Sequence, residues 1–222
     1  MLLAIDTSTR YAGVALYDGI QVTGEVVWIS QDHHTVELVP VIAEVLQRAG
    51  KKVTDLTAVG VALGPGSFTG LRIGLSVAKG MALGAHLPLL GIPTLDILAA
   101  AQPIRDLPLV AVLQAGRNHL AVGHYNVVAD GWSQVGNLQI KDVTALGHSI
   151  HSPTLVCGEL SEEERAILAR KRKNVLLASP AQCLRRPSFL AELAWIRLQA
   201  GQVDDPISLA PIYLHIGEPI PA

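Results

Sequence analysis

Apolar and polar positions along this chain switch between a period of two and a helical period, and each switch marks an element. Leu2 to Ile5 is a short apolar run that stops at Asp6-Thr7-Ser8-Thr9, four turn-forming side chains. Tyr11 to Tyr17 and Gln21 to Ile29 read as two further strands, the second with Val22, Val26 and Trp28 in partial alternation. Asp18-Gly19 between them is the strongest hairpin signal in the sequence. From Thr35 the period becomes helical, with Thr35 as N-cap, Pro40 within the opening turns and Gly50 as the stop. Leu38, Val39, Val41, Ile42, Val45, Leu46 and Ala49 cover most of this helix's circumference. A helix lying on a sheet needs one apolar stripe, so this one is expected to bury a second face elsewhere.

The fourth apolar run, Leu56 to Leu63, enters Gly64-Pro65-Gly66-Ser67-Phe68-Thr69-Gly70-Leu71-Arg72-Ile73-Gly74, and a helical pattern leaves it, Leu71 to Gly84. Strand, glycine loop and helix N-terminus form half of a βαβ unit, with Ser67 or Thr69 as the cap. A helix N-terminus attracts anions, but the specific phosphate-loop test fails. Leu71 stands where G-x-x-x-x-G-K-[ST] requires lysine, and no G-x-G-x-x-G lies in register. Gly66, Gly70, Gly74 and Ala78 follow one another at four-residue spacing and make a face almost without side chains. Each helical Gly costs about 1 kcal/mol relative to Ala. Something must therefore pack very close there: a neighbouring helix, the chain's own sheet, or another protein.

Leu87 to Gly91 reads as a fifth strand, and Thr94-Leu95-Asp96 caps a helix running to Ala101. Pro103 to Pro108 looks like a boundary, which divides the chain into 1–103 and 104–222. The second half carries strands at Leu109–Leu113 and Leu120–Val128, a turn at Ala129-Asp130-Gly131, and a strand near Trp132–Val135. Thr154–Val156 and Val175–Ala178 are short buried strands flanking a helix, Ser161–Lys173, whose acidic start and basic end suit the helix dipole. Pro187 and Ser188 open a last helix ending at Gly201, and Pro206, Pro211, Pro219 and Pro221 keep the tail extended.

A length of 222 residues predicts two subdomains, and a composition half apolar with only 16% charged residues predicts surface buried against a partner. The net charge of −2 argues against a stand-alone nucleic-acid binder. Cys157 and Cys183 lack C-x-x-C spacing and read as small buried residues of a reducing compartment. Met1 to Ile5 is too short for a signal segment, and Leu71 to Leu98 is broken by Lys79, His86, Pro88, Pro93 and Asp96, so no membrane span is expected. The expectation is a cytoplasmic chain. His33 and Glu37 have ligand spacing without a third ligand, so a solvated or hydrogen-bonded role is expected over a metal site; His148 and His151 are a weaker case. Arg170-Lys171-Arg172-Lys173 reads as a solvated helix end rather than an RNA patch.

Leu3-Ala4-Ile5-Asp6-Thr7-Ser8-Thr9, His34-Thr35-Val36-Glu37-Leu38-Val39-Pro40 and the glycine loop together resemble the TsaB (YeaZ) family of tRNA-modification proteins. Leu90-Gly91-Ile92-Pro93-Thr94-Leu95 and Pro211-Ile212-Tyr213-Leu214 match as well. The resemblance implies an α/β, actin-like/Hsp70/sugar-kinase (ASKHA) type fold of two βββαβα-related subdomains, the second truncated. It further implies a non-catalytic scaffold without metal or cofactor, in the complex that installs threonylcarbamoyl on the adenosine beside the tRNA anticodon. The implied partners are a TsaD-like catalytic subunit and a TsaE-like ATPase, with a homodimer when alone and tRNA reached only through the complex. Pairing through the first two helices would place Leu38, Val41 and Val45 of one helix at the seam. Gly70, Leu71, Gly74, Leu75 and Ala78 would come from the other.

Two departures stand out. Gln114-Ala115-Gly116-Arg117 occupies a place where the family often has Asp-Ala-Arg, which puts a carboxylate's role there in doubt. Ser8 stands where nucleotide-binding relatives carry Gly, which hinders backbone approach to a phosphate. Two other classes stay open. An actin-like ATPase or small-molecule kinase would use Asp6 and the glycine loop, and needs a second phosphate loop with an acidic residue in the latter half. A protease needs a nucleophile–base pair, and neither Ser67 nor either cysteine has an identifiable His partner in sequence.

Overall fold

The computed structural model describes residues 1–30, 34–129, 131–171 and 173–214. His33, Asp130, Arg172, Pro219 and Pro221, named above, lie outside the described residues. The chain forms two compact units, one of Met1–Ile97 with Arg186–Ile212, the other spanning Leu98–Arg185. One division near 103/104 is thus replaced by two, because the last helix returns to the first sheet.

In the first unit β1 (Leu2–Asp6), β2 (Tyr11–Tyr17) and β3 (Val22–Ile29) form a meander. It is followed by α1 (His34–Arg48), β4 (Ala58–Gly64), α2 (Phe68–Ala85) and β5 (Leu89–Pro93), and α3 (Thr94–Ala100) spans the division at Ile97/Leu98. The sheet order is β3-β2-β1-β4-β5, antiparallel through the meander and parallel from β1 to β5. Its two faces differ in side-chain size. Leu3, Ile5, Val14, Leu16, Val59 and Val61 pack against α1 and α2. On the side facing α6 (Pro187–Gln199), Ala4, Ala15, Ala58 and Ala62 form a small-residue centre, with Leu2, Leu90 and Ile92 beside them. A Cβ on Gly60 would lie 2.9 Å from the Ala194 methyl, and one on Gly13 would lie 2.9 Å from Pro187. The small-residue face is what lets α6 lie close, and no local signal within α6 announces it.

Glu25 of β3 fixes the start of α6. One carboxylate oxygen accepts from the Ser188 backbone N–H at 3.0 Å and the other from the Arg186 guanidinium. Burial pushes the Glu25 carboxyl up, but the bonds from Arg186 and Ser188 outweigh it and hold the group below its ordinary value. Asp204, beyond α6, closes the β5 edge. Its N–H donates to Leu89 O at 2.9 Å, and its carboxylate accepts from Gly91 N at 2.7 Å and from Arg197.

The second unit repeats the plan with β6 (Leu109–Gln114), β7 (Leu120–Val128), β8 (Gly131–Lys141), α4 (Val143–Ser149), β9 (Thr154–Gly158), α5 (Glu162–Ala169) and β10 (Val175–Leu177). Its sheet order, β10-β9-β6-β7-β8, is the first order element for element, with a three-residue last strand that makes it the truncated copy. Three expectations differ from the structure. β8 runs far past Val135, a helix α4 forms in a stretch where the pattern predicts none, and α5 ends at Ala169 rather than Lys173, with a turn after it that leads into β10. Asp142 caps α4 by accepting from Ala145 N at 2.8 Å, a signal the sequence did offer.

Candidate functional site

The glycine loop and the Asp6-Thr7-Ser8-Thr9 turn meet at the C-terminal ends of β1 and β4, where an α/β sheet ordinarily receives its ligands. Here the two segments close on each other. Ser67 N donates to Ser8 O at 2.6 Å, and Thr7 Oγ1 donates to Gly70 O at 2.7 Å. Ser8 Oγ and Thr94 Oγ1 share a bond of 2.9 Å, and Thr94 Oγ1 accepts from Gly64 N, also at 2.9 Å. Ser8 N is taken by Asp6 Oδ1 at 2.8 Å, and Ser67 caps α2 by accepting from Gly70 N at 3.2 Å. Asp6, Thr7, Ser8, Thr9 and Thr94 are all buried.

The small stripe faces this turn. A Cβ on Gly66 would fall closer than 3.0 Å to Ser8 O, one on Gly70 equally close to Thr7 O, and one on Gly74 equally close to Thr7 Oγ1. Of the three partners the stripe could have had, the structure places the chain's own sheet there. Gly64, at φ +112°, meets Ile212 O on its other side. The loop is a packed joint that sets the position of α2, with the hydroxyls of Thr7, Ser8, Ser67 and Thr94 engaged in internal bonds.

This corrects the expected seam. Leu38, Val45, Gly70, Leu71, Gly74, Leu75 and Ala78 are buried in the first unit's own core, and only Val41 is half-exposed. The physical reason is helix phase: the joint turns the glycine face of α2 inward, and Leu38, Ile42 and Val45 turn the matching face of α1 inward. The second apolar face expected on α1 exists at other positions. Val36 is 65% exposed and Val39 54%, with Pro40 and Ala43 exposed beside them. On α2, packed beside α1, Phe68 is 54% and Leu83 57% exposed near the helix's two ends, and Ser76, Gly80 and Gly84 are exposed small residues of the same helix. Arg72 lies over the Phe68 ring, 3.6 Å from its centroid. A helical wheel contained this face; only the choice between it and the buried one was missing.

The remaining candidates fall out differently. Glu37, the expected companion of His33, accepts from the Trp28 indole N–H at 2.9 Å and holds α1 to β3. Among the described residues no group of three His, Cys, Asp or Glu could hold a metal ion. Burial, with Cys183 adding to it, pushes the Cys157 thiol far above its ordinary value, so it is not a thiolate nucleophile. Gln114 Nε2 donates to Glu159 O at 3.2 Å and to Glu164 Oε2 at 2.7 Å, and Glu164 also takes Ser161 N in the capping box of α5. An aspartate could not donate and would face Glu164 as a like charge.

Two mixed sheets of one topology, the second shortened, define an actin-like, sugar-kinase type of fold. A Thermus thermophilus ROK hexokinase superposes with a TM-score of 0.51, over 90% of this chain and 99% of that one, at 10% identity. An uncharacterized Pseudomonas aeruginosa protein, described as similar to peptidase YeaZ, superposes with a TM-score of 0.80 over 96% of this chain and 99% of its own, at 22% identity. The family model described as TsaD, tRNA N6-adenosine threonylcarbamoyltransferase, matches residues 22–180. The tRNA threonylcarbamoyladenosine biosynthesis protein TsaB of Bacillus subtilis is 29% identical over 98% of this chain and 95% of its own length. The Escherichia coli TsaB is 41% identical over 98 residues, 44% of this chain and less than half of that protein. The chain belongs to this family, on its TsaB (YeaZ) branch. Among the described residues no helix is long and apolar enough to cross a membrane.

Proposed function

We propose that the chain is a non-catalytic scaffold subunit for threonylcarbamoyladenosine formation on tRNA, working in the cytoplasm beside a TsaD-like catalytic subunit and a TsaE-like ATPase. The observation that carries this reading is the exposure of large apolar side chains on adjacent helices, Val36 and Val39 on α1 and Phe68 and Leu83 towards the two ends of α2. Four large apolar side chains on two adjacent helices, with exposed small residues on α2, suit a helix-packing partner. The closed joint at Ser8, Thr94 and Gly66 supports the non-catalytic part, since the position where a kinase would cradle phosphate is filled by the chain's own atoms. The same face pairs with a second copy of the chain when the catalytic partner is missing.

The test is capture of the TsaD-like protein from the same cell by the full chain, with tRNA modification read in parallel. Val39→Glu and Leu83→Glu are expected to melt as the unsubstituted chain does and to lose both capture and modification. Normal capture by both variants would remove the face from consideration. ATP turnover by the purified chain, lost in Asp6→Ala, would restore the kinase reading.

A further inference from the structure

The second unit carries a cationic surface that the helix-packing face does not use. The last turn of α4 and the turn after α5 lie against each other at the start of β9. Asn174 Nδ2 donates to Ile150 O at 3.3 Å, Thr154 N donates to Asn174 O at 2.8 Å, and a Cβ on Gly147 would lie 3.9 Å from Lys171 Cγ. Arg170, Lys171, Lys173, His148 and His151 are exposed around this junction. Lys141 reaches in from β8 to donate to Ser149 Oγ at 3.2 Å. The carboxylates of the neighbouring elements point elsewhere: Asp142 caps the far end of α4, and Glu162, Glu163 and Glu164 form the far end of α5. The sequence has no carboxylate between Asp142 and Glu159, nor between Glu164 and Glu192.

A solvated helix end explains part of this charge and not all of it. Two helix C-termini carry about −0.5 each, whereas Arg170, Lys171 and Lys173 bring three full positive charges. Among the described residues, none of the exposed large apolar side chains occurs between residues 136 and 195. A protein-docking surface would show aromatic or aliphatic anchors at its centre. Phosphate backbones are instead held by Arg and Lys interleaved with hydroxyls and amides, and Ser149, Ser152 and Asn174 stand among these cations.

We infer that the junction of α4 and α5 is a phosphate-backbone contact for RNA, through which this subunit holds the tRNA that the complex modifies. The inference rests on the function proposed above and changes it in one respect: tRNA touches this chain directly.

The experiment measures binding of an unmodified tRNA transcript to the full chain by fluorescence anisotropy, across a salt range of roughly 50 to 200 mM. It compares the unsubstituted chain, the triple variant Arg170→Ala/Lys171→Ala/Lys173→Ala, and the control Lys51→Ala/Lys52→Ala in the first unit. All three substituted positions are exposed, so the triple variant is expected to keep the unsubstituted melting curve. Its affinity at low salt is expected to fall about tenfold or more, and its slope of log affinity against log salt to flatten by about two to three. The control keeps both. Unchanged binding by the triple variant, an equal loss in the control, or no tRNA binding by the unsubstituted chain overturns the inference. So does a triple variant that loses TsaD capture while keeping tRNA. If the triple variant keeps full tRNA affinity while the chain supports modification, the inference falls and the proposed function stands. A chain that fails to support modification removes the proposed function itself.

Discussion

Gly74→Ala tests the closed joint with a single methyl group. A Cβ at Gly74 would sit closer than 3.0 Å to Thr7 Oγ1, a separation real Cβ atoms essentially never show, while Thr7 Cβ at 3.5 Å and Ile5 Cγ2 at 3.7 Å are ordinary contacts. The conflict is therefore with one oxygen, and that oxygen is held by its bond to Gly70 O. Either α2 shifts outward or Thr7 rotates and gives up the bond. Overpacking of this kind costs about 1–3 kcal/mol, and replacing a helical glycine returns about 1 kcal/mol. The net is a loss of about 1 kcal/mol, read as a melting temperature lower by about 2–4 °C for a chain of this size.

Gly80→Ala, on the open side of the same helix with nothing within 4 Å, keeps the helical gain and avoids the clash. It is expected to melt about 2–4 °C higher. In a Thr7→Ala background the clash is gone, so Gly74→Ala should turn neutral or stabilising, a coupling of about 1 kcal/mol or more. Thermal melts of the four proteins and the double variant decide it. If Gly74→Ala is as stable as Gly80→Ala, or if the double variant shows no coupling, the stripe does not rest on Thr7 and the joint is misread.

Three further outcomes follow from the packing. Val45→Glu places a charge at a buried position of α1 and should leave the chain insoluble or melting far earlier, in contrast to Val39→Glu on the outward face; equal behaviour in a solubility and melting assay would contradict the assigned helix phase. Glu25 is held below its ordinary value of 4.5 in the folded chain, so its contribution is present above about pH 4.5 and is lost as pH falls through the lower folded value. Glu25→Gln should lower stability at neutral pH and flatten the acid limb of a pH–stability curve, and an unchanged limb would show that the clamp on α6 is idle. Arg185, with its side chain fully buried, pairs with Glu159 at 2.6 Å, so Glu159→Ala removes one partner of a buried ion pair and should cost about 3–5 kcal/mol in urea unfolding. A loss below about 1 kcal/mol would mean other contacts satisfy the guanidinium.

The order of strands and helices in the first unit was legible because each switch of period is a local property of a few consecutive residues. The meander, its Asp18-Gly19 hairpin, both long helices and the four-residue spacing of Gly66, Gly70, Gly74 and Ala78 could be read along the chain. So could the fact that α1 carries more apolar surface than one sheet can cover. Which face of each helix meets the sheet could not be read. That phase is set by Thr7, whose hydroxyl and carbonyl meet α2, and by Ser8, whose carbonyl accepts from the Ser67 cap, and a face of glycines looks the same in sequence whether a sheet or a partner covers it. The allegiance of α6 was hidden for the same reason. Its dock is a surface of Ala4, Gly13, Ala15, Ala58 and Gly60, small residues drawn from three strands, which becomes a surface only when those strands pair. Periodicity belongs to neighbours along the chain, while close approach belongs to atoms that only tertiary structure brings together.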